Sequence, residues 1–475
     1  MNANYIKSGL AAVLIVAMSM SMFGCGDEKE TSSQKNLDSA TREQVAEIAV
    51  EDERLTGELE NNKIIWMANW DINPDETGKN VPIELAIFQE RYNGVIEYRK
   101  IDWTTRYDSL ATAINSDEGV DFFPAGDMDA FPKGAIRGMF VPVDDYIDFN
   151  SDLWSGVKEA NDKFVWNGNH YLIVNAVTGD SNAVIYNRTT VEEAGLTDPA
   201  ELLEKGEWTW DAFEDMLVSF VDPDEGYYGI DGWWFEAGLS ITCGTPYIGL
   251  EDGKLVNNLR SENVERVQNW MYELFTKDCV AIGVGDYGWE AKPTNIKEGK
   301  TLFYPCGLWA LYSTPDQWQA EFGEDVFFVP MPKDPGADAH YIPCGLDAYV
   351  MVKGGQNPEG VAKFADCKRV TILNERAAEL GLEQMYTDYG WTEEMVEMKA
   401  KMDEMALEHP IFDFYTGVTK DVTSILDSNE NGIRSASKGT PWSESVAAIY
   451  TQIDAMLKEV NDNPVAGGDG DVSMN

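Results

Sequence analysis

Apolar positions along the chain follow two alternating rhythms. Short unbroken apolar runs, such as Ile64, Ile65, Trp66 and Met67 within KIIWMANWD, have the length of buried strands, as does VDFFPAGD. Between such runs the spacing changes to i, i+3, i+4, i+7. Tyr107, Leu110, Ala111 and Ile114 keep it, and so do Phe213, Met216, Leu217 and Phe220 behind Thr209, whose hydroxyl can cap a helix start. Ser261 precedes a further stripe at Val264, Val267, Met271 and Leu274. Pro358 occupies the first turn before Val361, Phe364 and Ala365, and Ser443 opens a last helix through Val446, Ile449, Tyr450, Ile453 and Leu457. Strands alternating with helices predict an α/β architecture with ligands at the carboxyl ends of strands.

The margins of the chain break this rhythm. Leu10 to Phe23 reads LAAVLIVAMSMSMF, with Lys7 before it and Gly24, Cys25 and the acidic GDEKE after it. It falls short of the ~20 apolar residues that span a bilayer and matches the apolar core of a signal peptide. The segment resembles a bacterial lipoprotein signal, which implies residues 1–24 as signal peptide and a lipid on Cys25. Residues 25–60 are polar and charged, without aromatic residues or Pro, and read as the lipidated Cys and a flexible tether with nascent helix at TREQVAEIAVEDERL. The Gly- and Asp-rich end, residues 463–475, reads as a disordered tail.

Composition narrows the partners. The 475 residues suit two or three domains, and 44% hydrophobic and 11% aromatic residues supply a core. Asp and Glu number 83 against 36 Lys and Arg, a formal net charge of −47 that repels nucleic acid and anionic lipid from the folded body. Five cysteines follow Cys25: Cys243, Cys279, Cys306, Cys344 and Cys367. They lack CxxC spacing and read as buried thiols rather than a zinc site or a disulfide framework.

Signatures of catalysis are missing. His170, His340 and His409 are the three histidines, none at metal-ligand spacing from another, and neither HExxH nor GxSxG occurs. Gly299-Lys300-Thr301 ends like a phosphate loop, but Thr294 stands where its first glycine belongs. Asp427, Asn429, Asn431 and Gly432 begin like a calcium loop, but Lys438 occupies the position of the closing Glu. No cofactor or metal is expected. An extracellular glycoside hydrolase or lyase stays open as an alternative, as does a binding protein for a non-sugar solute.

Aromatic residues are the positive signal. Fifteen Trp and 20 Tyr exceed the needs of a core, and several Trp lie in predicted loops beside polar residues: Trp70-Asp71, Trp103, Trp289, Trp309, Trp442, and Trp233-Trp234 with Asp231 and Glu236 alongside. An indole matches the C–H face of a sugar, and a carboxylate at its edge accepts hydroxyl hydrogens.

The order of motifs over roughly residues 62 to 460 resembles the family 1 extracellular solute-binding proteins, the class of maltose-binding protein. The resemblance rests on KIIWMANWD, YDSLATAINSDEGVDFFPAGD, GMFVPVDDYID, NAVIYNRTTVEEAGLTDPAELLEKGEWTWDAF, IKEGKTLFYPCGLWAL, DVFFVPMPKDPG and VKGGQNPEGVAKFA. It implies two α/β lobes of the type II binding-protein fold, a hinge, and a ligand cleft between them. The expected lobes are residues 61–183 plus 303–352, and 184–302 plus 353–462. It also implies a monomer that hands a carbohydrate to the permease of an ABC importer, outside the cell, with no catalysis. Ligand contacts are expected from Trp70, Asp71, Asp127, Asp180, Trp233, Trp234, Glu236, Trp309, Gly345 and Asp347.

Overall fold

The computed structural model describes residues 37–73, 80–232, 235–281 and 292–464. In chain order their strands are β1 (Lys63–Ala68), β2 (Val95–Lys100), β3 (Phe122–Pro124), β4 (Val165–Trp166), β5 (Asn169–His170), β6 (Leu172–Thr178), β7 (Ala183–Asn187), β8 (Tyr228–Ile230), β9 (Ile248–Glu251), β10 (Lys254–Asn257), β11 (Thr301–Cys306), β12 (Val326–Val329) and β13 (Gly345–Met351). Two sheets dominate, ordered β2-β1-β3-β13-β6 and β12-β7-β11-β8. Each belongs to one lobe of a two-lobe α/β fold.

Register decides which loops share an edge. In the first sheet β1 is parallel to β2 and β3, while β13 runs antiparallel to β3 and β6, with Gly345 opposite Thr178. The carboxyl ends of β1, β2, β3 and β6 therefore lie along one edge with the amino end of β13. In the second sheet β11 is parallel to β8 and antiparallel to β7, Cys306 opposite Ala183, and Val329 of β12 lies opposite Val184. One edge thus carries the loops after β8, β11 and β12. Only Gly179, Asp180, Ser181 and Asn182 link β6 to β7, so the two edges meet at one gap.

Each sheet is covered by helices, several of which the apolar stripes foretell. On the first, Phe88 of the Ile83–Tyr92 helix and Phe364 of the Pro358–Leu373 helix meet edge to face at 5.5 Å, and Phe122 and Tyr349 interlock beneath them at 5.6 Å. Truncating one such ring to Ala typically costs about 3–5 kcal/mol. On the second, Trp210 and Trp270 stack at 4.3 Å, contributed by the helices Trp210–Phe220 and Glu262–Thr276. Thr209 and Ser261 cap these helices as expected, accepting from the N–H groups of Ala212 and Val264. Ser443 does not cap the last helix, which starts at Trp442 after Pro441 and runs to Asp462.

Three expectations about the layout are corrected. The supposed tether contains the helix Ser39–Glu51, capped by the Asp38 carboxylate, with Val45, Ile48 and Ala49 buried in the first lobe. Arg376 pairs with Glu47 and Glu51 on its outer side. The lobe boundaries also move. β11 and β12 both pair with β7, so residues 303–329 belong to the second lobe, not the first. The helices Pro358–Leu373 and Glu375–Tyr389 pack on the first lobe, not the second, through Phe364 and Ala377. At the tail, Pro464 accepts from the Trp166 indole N–H at 2.6 Å, so Asn463 and Pro464 join the folded body.

The chain returns between lobes twice more, through residues 330–344 and through the helix Glu393–Glu408, which touches both β6 and β12. Beside these crossings Phe131, Phe164, Phe412 and Phe414 form a ring cluster with centroids 5.0–6.0 Å apart. Gly417 of the second lobe presses on it. A Cβ there would lie 1.8 Å from the Phe131 carbonyl oxygen and 2.6 Å from that of Met128, so only glycine fits. Lys133 Nζ donates to the Thr416 carbonyl at 3.1 Å across the same contact.

Candidate functional site

The gap is built from loops that leave the two sheet edges. On the first lobe β1 delivers Trp70 and Asp71. The Trp70 indole is 44% exposed and stands edge-on to buried Trp66 at 5.5 Å, while its carbonyl accepts from the Trp66 indole N–H at 3.0 Å. One ring is thereby fixed to the core with its other side open. Asp71 turns its carboxylate onto its own loop, accepting from the N–H and side-chain amide of Asn73 at 2.9 Å each.

β3 delivers Asp127 and Asp129, which differ in their partners. Arg106 pairs with Asp129, and the Tyr107 hydroxyl donates to the same carboxylate. Asp127 makes no hydrogen bond to any described residue and is solvent-exposed, yet protein surrounds it closely, as in a cleft wall. Lost hydration, then the charge of Asp129, pushes its carboxyl up to about 6 against the pull of Arg106. The loop holds this shape because Gly126 lies against the start of β13, where a Cβ would sit 2.6 Å from the Leu346 carbonyl oxygen. Gly345 closes the row in the same manner, since its Cβ would meet Thr178 Oγ1 at 2.6 Å.

The second lobe presents Trp309, 58% exposed, after β11. Its polar groups are turned inward. Glu236 is 3% exposed and accepts from the Ser437 hydroxyl at 2.8 Å, with Lys438 Nζ at 3.8 Å. Asp231 is buried, accepts from the Lys292 N–H at 3.1 Å and is pushed up to about 6, chiefly by lost hydration.

Of the acids expected to touch ligand, three are engaged elsewhere. Glu236 is held inside the second lobe. Asp180 sits at the crossing but accepts from Thr178 on one oxygen and from Tyr312 on the other at 2.9 Å, which braces the hinge strand. Asp347 faces the helices of the first lobe, pairing with Lys368 at 3.2 Å and accepting from the Asn175 amide at 3.4 Å. Trp442 is buried in the second lobe. Trp233, Trp234, Trp289 and Cys25 lie outside the described residues. Sequence reasoning passed over Arg106, Tyr107 and Asp129. The DxD spacing in AGDMDAF and the Arg-Tyr pair after Trp103 were the available signals.

Among the described residues no group of His, Cys, Asp and Glu is arranged to hold a metal, and the calcium-like segment places Arg434 3.8 Å from Asp427. Cys243, Cys279, Cys306, Cys344 and Cys367 are buried free thiols. Burial pushes Cys243, Cys279 and Cys306 up to about 12.

Two sheets whose loop-bearing edges face one gap are the frame of a binding protein, and residues 73–367 match the family described as bacterial extracellular solute-binding protein. The chain belongs to that family. As a member it is a solute-binding protein rather than an enzyme, in line with the missing catalytic signatures. No described helix is long and apolar enough to cross a membrane, and no curated protein sequence matches the chain. Solved structures share the fold at low identity. A cyclo/maltodextrin-binding protein complexed with maltotetraose is 17% identical, with a TM-score of 0.57 over 85% of this chain and 98% of its own. The galacto-N-biose/lacto-N-biose I-binding protein of Bifidobacterium longum, in complex with lacto-N-biose, is 14% identical, with a TM-score of 0.60 over 86% and 100%. An ABC transporter solute-binding protein of Thermotoga lettingae bound with α-D-tagatose is 15% identical, with a TM-score of 0.59 over 84% and 100%.

Proposed function

We propose that this solute-binding protein captures a sugar or oligosaccharide in the gap between its lobes and delivers it to an ABC importer. The observation that carries this reading is one open indole on each edge, Trp70 and Trp309, with the unpartnered carboxylate of Asp127 on the first. Indoles cover the C–H faces of a sugar ring, and Asp127 accepts from a hydroxyl at its rim. The sugars in the solved relatives named above favour the same class. Ligand bridging both edges favours the closed arrangement, and the importer reads that arrangement. A lipid on Cys25 keeps the monomer at the outer face of the cell membrane.

Calorimetric titration of the mature protein against a carbohydrate library tests the ligand class. Trp70→Ala should weaken the best ligand by roughly thirtyfold, the effect of losing an aromatic anchor worth ~2 kcal/mol. Absence of heat with every carbohydrate, or release of a cleaved product, would overturn the reading. For the anchor, Cys25→Ala should move the protein from the membrane fraction to the medium. Continued sedimentation with membranes would refute lipidation.

A further inference from the structure

Between Thr178, the last residue of β6, and Asp180 the chain passes from one lobe to the other in a single step. Thr178 is fixed to the first lobe, lying opposite Gly345 at the start of β13. Asp180 is fixed to the second. Its carbonyl accepts from the Leu308 N–H at 2.9 Å, and its carboxylate accepts from the Tyr312 hydroxyl at 2.9 Å. Both partners follow β11, and the Tyr312 ring is stacked on Trp391 at 5.2 Å. The residue in between is Gly179. Rotation about its two backbone bonds turns one lobe against the other, and glycine has the widest freedom for such rotation.

The surroundings of Gly179 suit a pivot. Its N–H donates to Asp403 at 2.9 Å, which fixes the peptide plane ahead of it. A Cβ here would lie 2.4 Å from the Met402 carbonyl oxygen, so the bare backbone rests directly on the helix Glu393–Glu408. Lys399 Nζ, one turn earlier on that helix, pairs with Asp403 at 2.6 Å. Burial works against the charge of Lys399, but Asp403 and then Asp180 outweigh it and hold its pKa above the ordinary lysine value. Across the pivot, the Thr178 hydroxyl donates to the Asp180 carboxylate. Gly345 leaves room for that bond, since a Cβ there would lie 2.6 Å from Thr178 Oγ1 and 3.1 Å from Asp180 Oδ1. In this arrangement Trp70 and Trp309 are 44% and 58% exposed, so the gap is uncovered while the bond is made.

We propose that Thr178 and Asp180 form a latch across the Gly179 pivot, which holds the ligand-free protein with its gap uncovered. Turning at Gly179 carries the Asp180 carboxylate, held by Tyr312, away from Thr178, so closure breaks the latch. Ligand must supply the free energy for that break, and the latch therefore lowers affinity for every ligand alike. The latch rests on the lobe closure proposed above, not on the ligand being a sugar.

Small-angle scattering of the ligand-free protein, with a melting curve on each variant, tests this. Thr178→Val keeps the shape of the side chain and removes the hydroxyl. Its radius of gyration should fall below the parental value with cooperative melting kept. Thr178→Ser retains the hydroxyl and should hold the parental value. Thr189→Val removes a comparable bond to Asp325 inside the second lobe and should also leave the value unchanged. Tyr312→Phe frees the Asp180 carboxylate from the second lobe and should act in the same direction as Thr178→Val. It carries the test if the Val variant does not fold. In calorimetric titration, Thr178→Val should tighten every carbohydrate that the parent binds by one common factor, about threefold to tenfold. An unchanged or larger radius of gyration in the latch variants overturns the latch, whatever carbohydrate binds. Tighter binding of one carbohydrate and not another would mean direct contact with ligand, and overturns it as well. If the parent binds no carbohydrate, the sugar reading fails while scattering still decides the latch.

Discussion

The two edges of the gap are built alike and furnished differently. Both collect loops from the carboxyl ends of parallel strands. The first lobe's edge carries Trp70 and Asp127 with surfaces or oxygens open. The second lobe's described edge carries open Trp309, while Glu236 and Asp231 are buried inside the lobe, where each accepts a hydrogen bond. Buried carboxylates that already have partners gain little from a ligand and lose much if pulled away. In the proposed reading, the contrast puts recognition mainly on the first lobe and covering mainly on the described edge of the second.

The largest effect should come from the place where the lobes touch. Gly417→Ala forces a methyl against two backbone carbonyls, and such overpacking costs about 1–3 kcal/mol or more. The melting temperature should fall, and small-angle scattering should report a larger radius of gyration as the lobes are wedged apart. Unchanged values of both would mean that the contact does not set the lobe arrangement.

Asp127→Asn sharpens the comparison on the recognition side. A hydrogen bond to a charged acceptor contributes about 1.5–3 kcal/mol, so affinity should fall by roughly tenfold or more near neutral pH. The pH profile gives the sign. A ligand hydroxyl favours the ionised carboxylate, whose pKa in the free protein is raised to about 6. Affinity should therefore be full above that value and decline as pH falls through it, approaching about tenfold per pH unit. The Asn variant should lose this slope. A parental profile flat from pH 5 to 8 would remove Asp127 from the site.

The smallest effect on affinity should come from Glu236→Gln. It leaves Lys438 without its nearest carboxylate and should cost about 1–3 kcal/mol of stability, read as a lower melting temperature. Ligand affinity should stay within about twofold. A large loss of affinity with stability kept would show that the second lobe recognises ligand through this acid, and the contrast between lobes would be lost.

Sequence patterns made local structure legible because their causes are local. Thr209 and Ser261 announce helices through a hydroxyl and the stripe that follows, and both cap them here. Trp70 and Asp127 could be placed at the loop-bearing edge because each follows a strand whose carboxyl end lies there. The failures share a non-local cause. β11 joins the second lobe because Tyr304 pairs with Ile185, a partner far away in sequence. The acid at position 180 looks free in a string of letters, and only folding brings Tyr312 to it. The narrow stripe of Val45, Ile48 and Ala49 in a charged segment suggested no more than a nascent helix, and it needed the first lobe's surface to become a buried face.

That helix has a mechanical consequence. Leu37 and the Ser39–Glu51 helix are seated in the first lobe's core, and Arg376 clasps the helix from outside. A pull on the chain ahead of Leu37 is borne by the first lobe alone, and the load never passes through the hinge. Tugging at the front of the protein therefore neither pries the jaws open nor squeezes them shut.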